Sequence, residues 1–301
     1  MKNILKVKEW NWRGAAATGW DNGYRIMPWM VNEVIEENPD VISINEFVVS
    51  DGWDYFRNKL IENDYCWFMT YTTYENGILI ALKKGTFDIK SRNDISVTKQ
   101  IKDKYDADSP DFLAITVKYR EHPLTIIGTR IKVLINSNNY DEDFKYRKRQ
   151  FELLVDYIST VEGRLVVMGD FNNGHIFNEF DKKYLYKNCA RQYYNYQMIW
   201  RTLEDVLKLS LSTPERGGKY GDKYSIVTMD YKSNKTYYTK EDHLISRGFN
   251  TSKCDYIWDF VKQENGYGNK GEYDYKGNIK FVPDHAILYT ELVVENNTDY
   301  E

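Results

Sequence analysis

Gly169-Asp170-Phe171-Asn172-Asn173 sets a carboxylate and two carboxamides directly after the apolar run Leu165-Val166-Val167-Met168. Four apolar residues that end abruptly in Gly, Asp and Asn read as a short buried strand closed by a turn. Polar groups just past the C-terminal end of an interior strand lie where open α/β folds place their chemistry. A carboxylate there can orient and deprotonate a water. Taken alone, the same residues are also an ordinary polar turn. The choice between the two depends on whether other strands deliver polar groups to the same edge.

Several do. The loosely alternating segment 4–12 ends in Asn11-Trp12-Arg13-Gly14, and the apolar run Val41–Ile44 ends in Asn45-Glu46. Segment 124–133 carries Gly128-Thr129-Arg130, the strand Lys253–Trp258 carries Asp255, and Pro283-Asp284-His285 leads into the apolar Ala286–Val294. The elements between them are read from periodicity. An amphipathic helix is expected over 28–37, with Pro28 in its first turn, and a second after Asp51 as N-cap, with Trp53, Phe56 and Leu60 inward. Strands are expected at 65–73 and 77–84 around Glu75-Asn76-Gly77, and at 112–119 and 124–133 around Glu121-His122-Pro123. Residues 85–110 read as an excursion at a sheet edge. A long helix over 141–161 then turns Phe151, Leu154, Val155 and Ile158 to one side and feeds the Arg164–Met168 strand.

Composition bounds the class. With 42% hydrophobic and 29% charged residues in 301, the chain has ample material for a core, and 16% aromatics argue against disorder. A net charge of −4 excludes a wholly basic nucleic-acid coat, though not a local basic face. Cys66, Cys189 and Cys254 are few, odd in number and far apart, which fits buried thiols in a reducing compartment and no zinc spacing. No export signal and no apolar run near 18 residues is apparent, so the expected location is cytoplasmic with no membrane association. No internal repeat or linker divides the chain, and one domain over residues 1–301 is expected.

The segment at about 174–250 reads as an insertion of different character. Between Asp181 and Lys240 stand 12 Lys and Arg against 6 Asp and Glu, and 10 of the 26 tyrosines. Rings interleaved with positive charge, as at Tyr193-Tyr194-Asn195-Tyr196, Lys219-Tyr220 and Tyr237-Tyr238-Thr239-Lys240, suit a groove that stacks bases and tracks phosphates. A solvated Tyr- and Lys-rich surface is the plainer reading.

Taken in order, these motifs resemble the exonuclease–endonuclease–phosphatase superfamily, over nearly the whole chain. Trp10 to Gly14 is similar to its first motif and Pro39 to Glu46 to its metal-ligand strand. Gly77–Lys84 is similar to its Gly-led hairpin strand, and Arg147 with Gln150 to the helix before the signature turn Gly169–Asn172. Asp255-Tyr256-Ile257 and Pro283-Asp284-His285 resemble its last two motifs. The resemblance implies an α/β four-layer sandwich, two packed mixed β-sheets flanked by helices, as in the deoxyribonuclease-I-like fold.

It also implies roles. Glu46 would be the principal ligand of a Mg²⁺ ion (Mn²⁺ a possible substitute), with Asn11 holding metal or phosphate beside it and Asp284 a second candidate ligand. Asp170 would be the base, and Asn172 would donate to phosphoryl oxygens or fix Asp170. Asp255 would hydrogen-bond His285 and favour its imidazolium near developing charge. Many members carry Thr-His-Leu where this chain has Thr129-Arg130-Ile131; Arg130 can clamp phosphate but cannot act as an acid. Arg13 stands where the abasic-site repair branch has an acidic residue, which makes that branch less apt. His122, His175 and His243 match no motif.

The expected function is metal-dependent hydrolysis of a phosphodiester in nucleic acid, endo- or exonucleolytic, with Lys219, Lys223, Tyr193 and Tyr194 as substrate contacts. Two alternatives stand beside it. One is a phosphatase or phosphodiesterase on a nucleotide, inositol phosphate or other small phosphoester. The other is a non-catalytic nucleic-acid-binding protein on the same fold. No protein partner is implied.

Overall fold

The computed structural model describes residues 4–13, 25–70, 76–87, 89, 95–101, 109–134, 139–173, 192–214, 224–230, 235–262 and 283–295. In chain order the elements are β1 (Ile4–Asn11), α1 (Pro28–Ile35), β2 (Val41–Phe47), α2 (Trp53–Glu62), β3 (Tyr65–Met69), β4 (Gly77–Lys83) and β5 (Ser96–Thr98). There follow β6 (Asp111–Tyr119), β7 (His122–Arg130), α3 (Tyr140–Thr160), β8 (Arg164–Asp170) and α4 (Tyr196–Trp200), which runs into a π-helical turn over Arg201–Val206. The last are β9 (Ser210–Ser212), β10 (Ile226–Asp230), β11 (Lys235–Thr239), β12 (Asp242–Arg247), β13 (Phe249–Ile257), α5 (Asp259–Lys262) and β14 (Ile287–Val294).

Two six-stranded mixed sheets result, ordered β13-β14-β1-β2-β4-β3 and β5-β6-β7-β8-β12-β9, with β10 and β11 as a separate antiparallel pair. Each sheet holds one parallel pair, β1 with β2 and β7 with β8. The chain between the partners carries a helix in each case, α1 in the first and α3 in the second, as a parallel crossover requires. Strand alternation then sorts the core into layers. Leu5, Val7, Val41, Leu124, Ile126, Val166, Met168 and Leu244 meet between the sheets. Trp10, Ile42 and Ile44 face outward with Trp29, Val34 and Phe56, and Ile127, Leu165 and Val167 face outward with Phe151, Leu154 and Ile158. The order helix, sheet, sheet, helix is the expected sandwich.

Some local expectations shift. The α2 N-cap is Gly52 at φ 89°, not Asp51. A Cβ at Gly52 would lie 2.1 Å from the Ile26 carbonyl oxygen, so this close approach demands glycine. Asp51 instead pairs with Arg25 at 3.3 Å. The β6–β7 turn is centred on Arg120 and Glu121, both at positive φ as a two-residue hairpin requires, one step before the expected Glu121–Pro123. Within segment 174–250, β9 and β12 belong to the second sheet and Tyr194, Tyr196 and Ile199 to its outer core. Much of the described part of that segment is therefore interior. Lys219, Lys223, His175 and Cys189 lie outside the described residues.

Candidate active site

Strand parity gathers the polar residues. On β1, the positions that follow Leu5 and Val7 on the inner face are Glu9 and Asn11. On β2, Ser43 and Asn45 follow Val41 in the same way; on β7, Gly128 and Arg130 follow Leu124 and Ile126. On β8, Asp170 follows Val166 and Met168, and β12 opens with Asp242 two before Leu244. Register confirms one edge: Asn11 lies beside Asn45, Arg130 beside Asp170 and Asp111, and Asp170 beside Asp242. The inner faces thus turn from apolar to polar toward one edge of the sheets, and the polar ends meet.

Glu46 has the wrong parity for this face, since Ile44 points outward. The β2–β4 ladder is irregular between Ile44 and Phe47, and Glu46 sits at φ 49°. Such a bulge bends the strand and re-aims one side chain. Glu46 is turned into the site, where its Oε1 accepts from Asn11 Nδ2 at 3.3 Å and pairs with Arg130 Nη2 at 2.7 Å. Its Oε2 accepts from Asn76 Nδ2 at 3.1 Å.

The signature turn is wired at every position. Gly169 is required because a Cβ there would stand 1.8 Å from the Thr129 carbonyl oxygen. Asn172, at φ 43°, takes a conformation asparagine tolerates. Its backbone N–H donates to Asp170 Oδ1 at 2.8 Å, and its Nδ2 donates to Asp170 Oδ2 and to the Ile131 carbonyl, each at 2.8 Å. Asn172 thus holds Asp170 from two donors, with its Nδ2 committed to Asp170 and the Ile131 carbonyl. Arg147 donates from Nη1 to the Asn172 carbonyl at 2.7 Å while pairing with Asp143. Gln150 both donates to and accepts from the Lys132 backbone at 2.9 Å, which holds the chain just past Arg130. Both helix residues are positioning groups.

Asn11 donates from Nδ2 to Asp170 Oδ2 at 3.1 Å as well as to Glu46, while its Oδ1 accepts from the Arg13 N–H at 2.8 Å. The backbone donor fixes the amide's orientation. Its nitrogen side, not its oxygen, faces the carboxylates, so Asn11 bridges Glu46 and Asp170. Asp284 lies 3.4 Å from Arg13 Nε.

His285 Nδ1 lies 2.8 Å from Asp242 Oδ2, and the partner expected from the sequence, Asp255, is not the one it takes. Parity is the reason. Cys254 and Tyr256 on β13 pack into the inter-sheet core, so Asp255 projects the other way and accepts from the Tyr256 N–H. Tyr256 instead sends its hydroxyl to the Asp242 carbonyl at 2.6 Å. Trp10 Nε1 donates to the His285 carbonyl at 2.9 Å and ties that loop to β1.

Burial and neighbouring charge set the protonation states. Burial disfavours a charged His285, but Asp242, aided by Asp170 and Asp284, outweighs it and holds the imidazolium well above the ordinary range. Burial, with Asp242 and Glu241 adding repulsion, pushes Asp170 up to about 8 against the pull of His285 and Arg130. Glu9, fully buried and accepting from Asn45 Nδ2 at 2.7 Å, is likewise driven well up by burial and Asp242. Asp242, Glu9, Asp111 and Glu241 escaped the sequence reading. The available signal was an acid opening or closing an apolar strand on its inward parity, as in Asp242-His243-Leu244.

Tyr194 is not a substrate contact: it is fully buried and its hydroxyl donates to the Phe171 carbonyl at 2.6 Å. Tyr193 is half-buried, with Lys145 Nζ 4.6 Å from its ring centroid. His243, without a motif, is a buried structural group between Thr213 Oγ1 and Asn173 Oδ1, each at 3.0 Å. Among the described residues, no three His, Cys, Asp or Glu side chains gather as a metal cage. A hard cation such as Mg²⁺ can be held through one carboxylate and otherwise by water, and Glu46 is the carboxylate that would hold it here.

No protein-family model and no curated protein matches the chain. Solved structures do. D. rerio TDP2 complexed with single strand DNA product aligns at TM-score 0.59 with 13% identity, covering 96% of this chain and 98% of that one. ANGEL2, a 2′,3′-cyclic phosphatase in complex with adenosine-2′,3′-vanadate, aligns at 0.60 with 15% identity over 98% and 96%. An endonuclease/exonuclease/phosphatase from Bacteroides vulgatus aligns at 0.58 with 10% identity over 98% and 100%. At these identities the likeness concerns the fold, and it spans at least 96% of each chain. The chain has the deoxyribonuclease-I-like fold, the fold shared by the exonuclease–endonuclease–phosphatase superfamily.

Proposed function

We propose that the protein is a divalent-metal-dependent phosphodiesterase acting on nucleic acid by in-line attack of water. The observation that carries the proposal is the meeting, at one sheet edge, of a carboxylate fixed on three sides (Asp170), a second carboxylate paired with a permanent cation (Glu46 with Arg130) and a carboxylate-held imidazole (His285). A Mg²⁺ ion bound at Glu46 would neutralise charge on the phosphoryl oxygens and leaving oxygen. Asp170, its proton affinity raised by burial, takes the proton of the attacking water. Asn172 and Asn11 keep its lone pairs aimed. His285, charged and braced by Asp242, faces the negative charge that develops in the transition state, and Arg130 grips phosphate oxygens.

Two features favour a polymer over a small ester. The sequence between Asp181 and Lys240 carries an excess of 6 positive charges, 12 Lys and Arg against 6 Asp and Glu, and one fold neighbour was solved with a single-strand DNA product. The second reading, a small cyclic or terminal phosphoester, is favoured by the neighbour holding adenosine-2′,3′-vanadate. A cleavage assay separates them. Labelled single- and double-stranded DNA and RNA are compared with adenosine 2′,3′-cyclic phosphate at equal Mg²⁺, Mn²⁺ or EDTA. Faster metal-dependent turnover of an oligonucleotide supports the proposal; turnover of the small ester alone replaces it with the second reading.

A further inference from the structure

We propose that Arg130 and a divalent cation compete for one carboxylate, Glu46, so that cation binding displaces the guanidinium and presents it to an incoming phosphate. The inference rests on the phosphodiesterase reading and deepens it. Arg130 closes the inner face of β7 and stands among three carboxylates, with Nη2 2.7 Å from Glu46 Oε1, Nη1 3.2 Å from Asp111 Oδ2 and Nε 3.9 Å from Asp170 Oδ2. These partners are not equivalent. Asp111 is the register neighbour of Arg130 on β6, in the same sheet, whereas Glu46 reaches across from the other sheet on its bulge. The contact to Asp170 is beyond hydrogen-bond range. The guanidinium can therefore leave Glu46 and keep Asp111.

A cation taking an oxygen of Glu46 would meet the guanidinium within a few ångströms, where like charges repel strongly in a site only 14% exposed at Arg130. A lysine or histidine could relieve the conflict by losing its proton; arginine cannot. Motion is the remaining relief. Once off Glu46, the Nη2 edge offers two parallel donors to a phosphate, the geometry guanidinium favours. Cation binding at Glu46 and phosphate binding at Arg130 then assist each other, and by linkage the assistance is reciprocal.

The test is Mn²⁺ binding to the full chain, followed by the electron paramagnetic resonance signal of the free ion, without substrate. Arg130→Gln removes the competitor and should bind Mn²⁺ at least about tenfold more tightly. Asp111→Asn removes the guanidinium's other partner and should weaken Mn²⁺ severalfold. In the Arg130→Gln background the same Asp111 change should alter affinity less than about twofold, because its effect runs through the guanidinium. Unchanged or weaker binding in Arg130→Gln overturns the competition. Should that variant not fold, Asp111→Asn decides, and unchanged or tighter binding there overturns it. Glu46→Gln separates the two levels. If it abolishes Mn²⁺ binding while Arg130→Gln changes nothing, only the competition fails. If it leaves binding intact, the cation site behind the phosphodiesterase reading fails.

Discussion

His243 gives a stability prediction whose size follows from its surroundings. Tyr196 donates its hydroxyl to Thr213 Oγ1 at 3.1 Å, which leaves the Thr213 hydroxyl to donate to His243 Nδ1. Asn173 commits its Nδ2 to the Lys240 carbonyl and turns Oδ1 to His243 Nε2. The imidazole is thereby fixed neutral, with its proton on Nε2. Burial, reinforced by Lys240, pulls its pKa from 6.5 down to about 3. Because folding lowers this proton affinity, the stability from a neutral His243 is fully present above the unfolded pKa and is lost as pH falls from 6.5 toward 3. At about 1.4 kcal/mol per pH unit, the loss by pH 4.5 is about 3 kcal/mol, with a ceiling of roughly 5. Glu9, Asp170 and Glu241 act with the opposite sign, since burial raises all three and acid favours their folded, protonated forms. The wild-type curve mixes these effects, so His243→Gln isolates the imidazole. In urea unfolding followed by tryptophan fluorescence, the variant should lose stability at about pH 7, and its further change between pH 7 and 4.5 should be about 3 kcal/mol more favourable than that of wild type. Parallel pH dependences in the two proteins would refute the neutral, buried assignment.

Three other outcomes are specific. Asp242→Asn should lower kcat by roughly 10²–10⁴ by removing the charge that braces His285, while Asp255→Asn should stay within about threefold of wild type; the reverse order in steady-state kinetics would restore Asp255 as the partner. Gly169→Ala should destabilise the fold by more than about 3 kcal/mol, because a Cβ lies 1.8 Å from a backbone oxygen, and an unchanged melting midpoint would contradict the β7–β8 register. Neutralising Lys219 and Lys223 should weaken oligonucleotide binding and flatten its dependence on salt, measured by fluorescence anisotropy; identical slopes would remove these lysines from the interface.

The layers were legible because they rest on period and run length. Val41–Ile44 and Leu165–Met168 announce interior strands, and Phe151, Leu154 and Ile158 announce the face of α3. Polar groups at strand ends were also visible as residue types. Their aim was not, since aim depends on parity within the finished sheet. Asp255 matches a motif but projects away from the core its neighbours Cys254 and Tyr256 fill, and Asp242, in a segment that read as an insertion, takes its place beside His285. Glu46 shows the converse: on simple alternation it would point outward, and only the irregularity before Phe47 brings it inward. The burial of Tyr194 was equally hidden, because a Tyr-rich composition describes an inner core and a stacking groove alike.

The most direct measurement is single-turnover cleavage of a labelled single-stranded oligonucleotide by wild type and Asp170→Asn, each with Mg²⁺ and with EDTA, alongside binding of the same oligonucleotide. Wild type is predicted to cut only with metal, and the variant to bind with near wild-type affinity while cutting at least about 10²-fold more slowly. Cleavage by the variant at the wild-type rate, or cutting that survives EDTA, would contradict a metal-dependent reaction based on Asp170.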